Sequence, residues 1–187
     1  LNYRNIPNAK DLIPQAVDIT NPGYGPGFLI STPSVLVYDV EKAKELGITP
    51  DSMEYLWDPR FEGKVSLQNQ MTGWSNLFTL QQMSGLPLDD PEQKGAMELL
   101  AKIMDNGAII YGGSAEGQAL WSRKEVWLGM MWDGRTFDLI SRGLPLAGTI
   151  PKEGGFAMLN LINVATGTKV SALAEAYINF RIGAAAQ

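Results

Sequence analysis

The run Leu56-Trp57-Asp58-Pro59-Arg60-Phe61-Glu62-Gly63-Lys64-Val65-Ser66-Leu67 leaves the backbone few choices. Asp58-Pro59 starts a turn, because proline presets φ and an Asp side chain bonds its own backbone two residues on. Gly63 relaxes the next corner, and Val65 and Leu67 then alternate with polar neighbours as a half-buried strand does. A helix end, a turn and a strand entering a core follow one another here, and a chain built of such joins stacks helices on a sheet.

The rest of the chain repeats that alternation. Pro7, Pro14, Pro22 and Pro26 with Gly23, Gly25 and Gly27 keep residues 1–27 mostly extended or turning. β-Branched Ile30, Thr32, Val35 and Val37 predict a strand pair, or one bent strand broken at Pro33, over residues 28–38. A short helix over 41–46 stops at Gly47, and a second, capped by Thr72 or Ser75, runs through Met83 to Gly85 and Pro87. Ala96, Leu99, Leu100, Ile103 and Met104 are spaced for one face of a helix over 92–106, with Gly107 as its stop. Ser114 caps a helix to Trp121, residues 126–132 read as an apolar strand, and 134–142 return as a helix closed by Gly143. Beyond the corner Glu153-Gly154-Gly155, a strand over 157–164 leads into a helix over 170–182 with Val170, Leu173, Ala174, Tyr177 and Ile178 on one side. No internal repeat or low-complexity linker interrupts the series, so the expected fold class is α/β, a mixed β-sheet flanked by helices.

With 187 residues, 45% of them hydrophobic, the chain can bury a substantial core. Its net charge of −5 and the lack of any basic run argue against nucleic acid or an anionic membrane surface as partners. Cysteine and histidine are both absent, which removes disulfides, thiol nucleophiles and the commonest metal ligand and general base. No cofactor and no metal is expected. Residues 1–8 show no basic segment leading into an apolar run, so no signal peptide is expected within the chain, and no stretch stays apolar long enough for a spanning helix.

Three blocks, in order, carry a family resemblance. Leu56 to Val65 resembles the "LWDP-x-x-x-GKV" segment of bacterial extracellular solute-binding proteins that serve ABC importers, in the polyamine and ferric-ion branch of the type II periplasmic binding proteins. Glu125-Val126-Trp127-Leu128-Gly129-Met130-Met131-Trp132-Asp133-Gly134-Arg135 is similar to their "GEVxLGMxWNGxA" segment, and Pro151-Lys152-Glu153-Gly154-Gly155 to their "PKEGG" corner. The resemblance implies two α/β lobes joined by crossing strands, with a small-molecule ligand between them and a membrane permease as partner, in the periplasm or at the outer cell surface. On it, residues 1–30 are a lead-in with a first-lobe remnant and hinge, 31–155 the second, C-terminal-type lobe, and 156–187 a hinge return strand with a first-lobe helix. The match begins mid-family, so the missing lobe is a possible separate fragment.

Trp132 lies where a buried strand gives way to a helix, with Asp133, Gly134 and Arg135 at the helix start. An aromatic wall, a carboxylate, a guanidinium and free N–H groups therefore converge. By resemblance, Trp132 stands where polyamine-type binders place a ligand-stacking Trp. The same residues also carry plain structural readings: Trp132 as core packing, Asp133 as a complement to the helix dipole, Arg135 as a solvated side chain. The loop holding Thr72, Trp74 and Ser75 follows a strand and precedes a helix, as ligand loops of open sheets do, and Gly112-Gly113-Ser114 makes a weaker corner of that kind. Glu153 and Met158 join the candidate set by position in the third block.

Residues 68–75 are neutral where polyamine binders carry acids, and Met158 and Asn160 replace their Trp and Asp, which disfavours spermidine and putrescine. Tyr111 and Tyr177 stand alone, so a ferric ion lacks its Tyr pair. A single acid beside a single Arg suits a small zwitterion, an amino acid, ω-amino acid or related amine. Two other classes stay open: a hydrolase using Asp133 with Glu153 or Glu116 as acid and base, and a scaffold in which Trp57, Trp74, Trp121, Trp127 and Trp132 only fill the core.

Overall fold

The computed structural model describes residues 1–13, 16, 26–31, 34–69, 76–155 and 158–186. The strands are β1 Gly27–Ser31, β2 Val35–Asp39, β3 Val65–Gln68, β4 Ile109–Tyr111, β5 Leu128–Met131, β6 Leu146–Thr149 and β7 Met158–Leu161. The α-helices are α1 Val40–Glu45, α2 Leu77–Ser84, α3 Lys94–Asp105, α4 Ser114–Ser122, α5 Asp133–Ser141 and α6 Ser171–Arg181. Two compact units result: Thr32–Phe156, and Leu1–Ser31 with Ala157–Gln187. Among the described residues no helix is long and apolar enough to cross a membrane.

The larger unit is built on a mixed sheet of strand order β4-β3-β5-β2-β6. β3 runs parallel to β4 and β5, whereas β2 runs antiparallel to β5 and β6. The two-residue period of β2 sends Leu36 to one layer and Val35 and Val37 to the other. Leu36, Val65, Leu67, Leu128 and Met130 pack with Leu80 of α2 and Ala96 and Ile103 of α3. On the opposite face Val37, Tyr111 and Met131 pack with Leu120 and Trp121 of α4 and Leu139 of α5. Burying each such Leu contributes about 1.5–3 kcal/mol, so both faces have to be covered for the sheet to hold.

The turn that opened the sequence reading is held from a distance. Asp58 accepts from Arg60 N at 2.9 Å to cap the 3-10 turn Pro59–Phe61, and Phe61 is buried edge-on to Tyr55. Asn106, at the end of α3, donates from its amide to Leu56 O and Asp58 O at 3.2 and 3.0 Å, while Gly63 N donates to Asn106 O at 2.9 Å. Gly63 takes φ +65°, the left-handed bend a glycine accepts without strain, and the chain enters β3.

The smaller unit pairs β1 with β7 antiparallel. Its core joins Ile6 and Ala9 to Ile178 of α6 and Ile182 just beyond it. A polar zipper runs beside it: Glu175 accepts from Asn2 N and Asn5 Nδ2 at 2.7 and 2.6 Å, and Asn8 bonds twice to Asn179 at 2.8 Å.

Several local expectations change. Within residues 1–27, expected to be extended or turning, Tyr3–Asn5 and Pro7–Asp11 do form 3-10 turns, and residues 17–25 lie outside the described set, as do Thr72 and Ser75. Ser114 is the first residue of α4 and not its cap. Gly113 occupies the cap position in extended backbone, and no side chain caps the helix. In α6 Glu175 and Ile178 are buried, as is Ile182 at its C-cap, while Leu173, Tyr177 and Phe180 are 70%, 57% and 58% exposed. The helix turns toward the N-terminal 3-10 turns, where Glu175 and Asn179 find partners; of the expected apolar side Ile178 is buried, while Val170, Leu173 and Tyr177 face outward.

Candidate functional site

Because β3, β4 and β5 are parallel, Gln68, Tyr111 and Met131 end at one edge of the sheet, and α4 and α5 begin there. Open α/β sheets bind ligands outside the carboxyl ends of their strands, where helix N-termini present unpaired N–H groups. At this edge a cavity of about 530 Å³ opens to solvent, lined by Gln68, Ser114, Trp132, Asp133, Gly134 and Arg135.

Each lining group is placed by structure beneath it. Trp132 follows β5 directly as the N-cap residue of α5, and its carbonyl accepts from Arg135 N, Thr136 N and Thr136 Oγ1 at 3.0, 2.9 and 3.0 Å. Thr136 is fully buried, so the first turn of α5 is anchored in the core and the Trp132 backbone with it. Asp133 stands in that first turn, where the dipole favours its charge, and accepts from Gly134 N at 2.6 Å. Arg135 forms no ion pair among the described residues, so its guanidinium is available to an anion.

The α4 corner is fixed by close packing. A Cβ on Gly117 would lie 2.5 Å from the buried Tyr111 ring, so only glycine lets the helix approach β4 this closely. The Tyr111 hydroxyl donates to Met130 O at 3.0 Å, and burial pushes its pKa well above the usual phenol value. Glu116 accepts from Gly112 N at 2.7 Å, closing the loop before the helix, and Gln118 donates to Asp138 at 2.6 Å, tying α4 to α5. Ser114, Trp132, Asp133 and Arg135, named from sequence, thus share one cavity.

Sequence reasoning did not single out Gln68. It is 1% exposed at the end of β3, lines the cavity, and its Oε1 has no hydrogen-bond partner among the described residues. A glutamine closing an apolar strand was the available signal. Glu153 is not among the residues that line this cavity. Glu153 accepts from Ser52 Oγ and, at 3.1 Å, from Met53 N, which occupies its carboxylate at the start of a 3-10 turn. Met158 is in β7, opposite Ser31 in the smaller unit. Thr72, Trp74 and Ser75 lie outside the described residues. Of the other tryptophans, Trp121 is core, and Trp127 carries the ammonium groups of Lys42 and Lys64 at 5.2 and 5.3 Å from its ring centre.

Comparison with known proteins agrees with this architecture. Residues 2–187 match the profile of a family described as bacterial extracellular solute-binding protein. The spermidine/putrescine-binding periplasmic proteins of Salmonella typhimurium and Escherichia coli are 29% and 28% identical over 127 residues, 67% of this chain and 36% of theirs. The chain therefore spans well under two thirds of the length of those curated relatives. Among solved structures, an ABC transporter protein of Clostridium perfringens superposes with TM-score 0.81 at 22% identity, covering 100% of this chain and 58% of that one. The spermidine/putrescine substrate-binding protein of Streptococcus pneumoniae does so with TM-score 0.77 at 20% identity, covering 97% and 56%. A GABA receptor gives TM-score 0.70 at 22% identity, covering 99% and 60%. At these identities the solved structures speak for the fold alone.

Proposed function

Because this chain belongs to the bacterial extracellular solute-binding protein family, we propose that it serves an ABC importer as its substrate-binding component, capturing an amino acid, ω-amino acid or related amine. Membership makes it a periplasmic or extracellular protein. The observation that carries the reading is the strand-end cavity itself, in which Trp132, Asp133, Arg135 and Ser114 meet.

Asp133 offers a counter-charge to an ammonium, Arg135 and the N-terminus of α4 offer one to a carboxylate, and Trp132 supplies an apolar wall. The curated relatives are named for spermidine and putrescine, yet a polycation needs several acids, and among the described residues Asp133 is the one carboxylate lining this cavity. Residues 31–155 act as the second lobe in this reading. Residues 1–30 and 156–187 contribute hinge and first-lobe structure, completed by further polypeptide such as the longer relatives carry. Ligand stabilises a closed arrangement by its higher affinity for it, and a membrane permease recognises that form. The protein releases its solute unchanged, in keeping with a family of transport binding proteins; Glu153, paired with Ser52 and Met53, is not poised as the second carboxylate of a hydrolase.

Fluorescence titration of the complete gene product with amino acids, ω-amino acids and diamines tests this. Saturable quenching without product formation is expected, lost in Trp132→Ala while the circular dichroism spectrum is kept. Absence of saturable binding across all three classes, or turnover of any of them, would overturn it.

A further inference from the structure

Of the chain's asparagines, Asn106 alone precedes a glycine. Such a pair is the asparagine junction most open to attack by its own backbone, because glycine has no Cβ to shield its N–H from the neighbouring side chain. We propose that Asn106 is a latent deamidation site, silent in the native fold and released when the Leu56–Gly63 turn opens, and that its conversion costs the refolded chain that turn.

The chemistry needs two freedoms at once. Gly107 N, having given up its proton, attacks Asn106 Cγ; the new C–N bond closes a five-membered succinimide, and Nδ2 leaves as ammonia. Water then adds to one of the two ring carbonyls and breaks its bond to nitrogen, leaving aspartate or isoaspartate. The Asn106 side chain has therefore to swing onto the following residue, and the Gly107 amide has to be unbonded when it does.

The fold denies both. Asn106 is 9% exposed, and its Nδ2 donates to Leu56 O and Asp58 O at 3.2 and 3.0 Å, which holds the side chain away from its own C-terminal neighbour. Gly107 N is engaged with Met104 O at 2.9 Å, and Asn106 O accepts from Gly63 N at 2.9 Å. Gly107 takes φ +75°, and a Cβ there would lie 3.2 Å from Gly63 Cα and N, so the position favours the very residue that makes the junction reactive.

The product fits worse than the amide. A carboxylate has no N–H to give, so Leu56 O and Asp58 O lose their shared donor and face a negative charge instead. Isoaspartate also adds a carbon to the main chain between α3 and β4. Covalent change of an opened chain is one route by which unfolding becomes irreversible.

The experiment is peptide mapping by mass spectrometry on the complete gene product, held at mildly alkaline pH in buffer and in denaturant, with isoaspartate scored by enzymatic methylation. In denaturant, position 106 should exchange amide for acid faster than any other asparagine of residues 1–187. In buffer it should do so at least about a hundredfold more slowly, because only the opened fraction reacts. Phe61→Leu, which loosens the buried side of the turn and leaves the reacting pair intact, should raise the rate in buffer and leave the rate in denaturant unchanged. Gly107→Ala should slow the reaction in denaturant, where its fit to the fold no longer matters. After dilution from denaturant, deamidated wild-type chains should unfold at lower denaturant than amide-bearing ones, or collect in the fraction that fails to refold. Equal rates in buffer and denaturant overturn the protection, and a faster asparagine elsewhere in these residues overturns the assignment. Deamidated chains that refold fully and share the amide form's unfolding midpoint overturn the cost to the turn.

Discussion

The same apolar spacing has opposite fates in the two units. In the larger one, Ala96 and Ile103 of α3 and Leu139 of α5 are buried against a five-stranded sheet covered on both faces. In the smaller one, Leu173, Tyr177 and Phe180 share a face of α6 at positions i, i+4 and i+7 and stay exposed, while Glu175 on the neighbouring face is buried. A two-stranded ribbon and short 3-10 turns supply too little surface to cover a helix on two sides, and such a ribbon is marginal by itself. Apolar periodicity tells which faces a helix has to offer; the surface available decides which face is used.

The sharpest way to break the contrast is to open the larger unit's core. Leu67→Ala, at a fully enclosed position on the strand that ends at Gln68, should cost about 3 kcal/mol in denaturant unfolding. A loss under about 1 kcal/mol would mean the two-layer core is looser than its packing implies. Gly117→Ala, which drives a methyl into the Tyr111 ring, should cost about 2 kcal/mol by overpacking and weaken solute binding by displacing Ser114.

A smaller effect is expected in the smaller unit, where Asn5 and the Asn2 backbone hold the Glu175 carboxyl below the usual glutamate range. A group whose folded pKa is depressed stabilises the fold above its unfolded value, near pH 4.5 for glutamate, and that contribution fades as pH falls through the folded value. Hydrogen exchange of the N-terminal segment should accelerate below that pH in the wild type. In Glu175→Gln the acid step should disappear. Smallest of all, Leu173→Ser with Tyr177→Ser should change stability by no more than about 0.5 kcal/mol in this chain, because neither side chain is covered. A larger loss would show that face to be buried in solution.

Strand and helix identity was legible because it rests on local chemistry: β2 alternates, α3 has its apolar stripe, and Gly47, Gly107 and Gly143 end helices with positive φ. What local chemistry does not contain is long-range partnership. Nothing near Asn106 announces that its amide holds the Leu56–Asp58 turn, and nothing near Glu153 announces Ser52. The strand-to-helix junction at Trp132 could be read because adjacent residues form it, whereas its meeting with Ser114 and Gln68 depends on three parallel strands ending together. The choice of face on α6 was illegible for the same reason, since Glu175 is buried by partners at Asn2 and Asn5.

The cavity walls come from strand tips and first helical turns, while the two apolar layers lie behind them along the strand bodies. The side chains proposed for recognition are therefore not those of the two apolar layers. Under the proposed role, an exchange of Asp133 or Arg135 at the rim would alter solute preference without renegotiating the apolar interior.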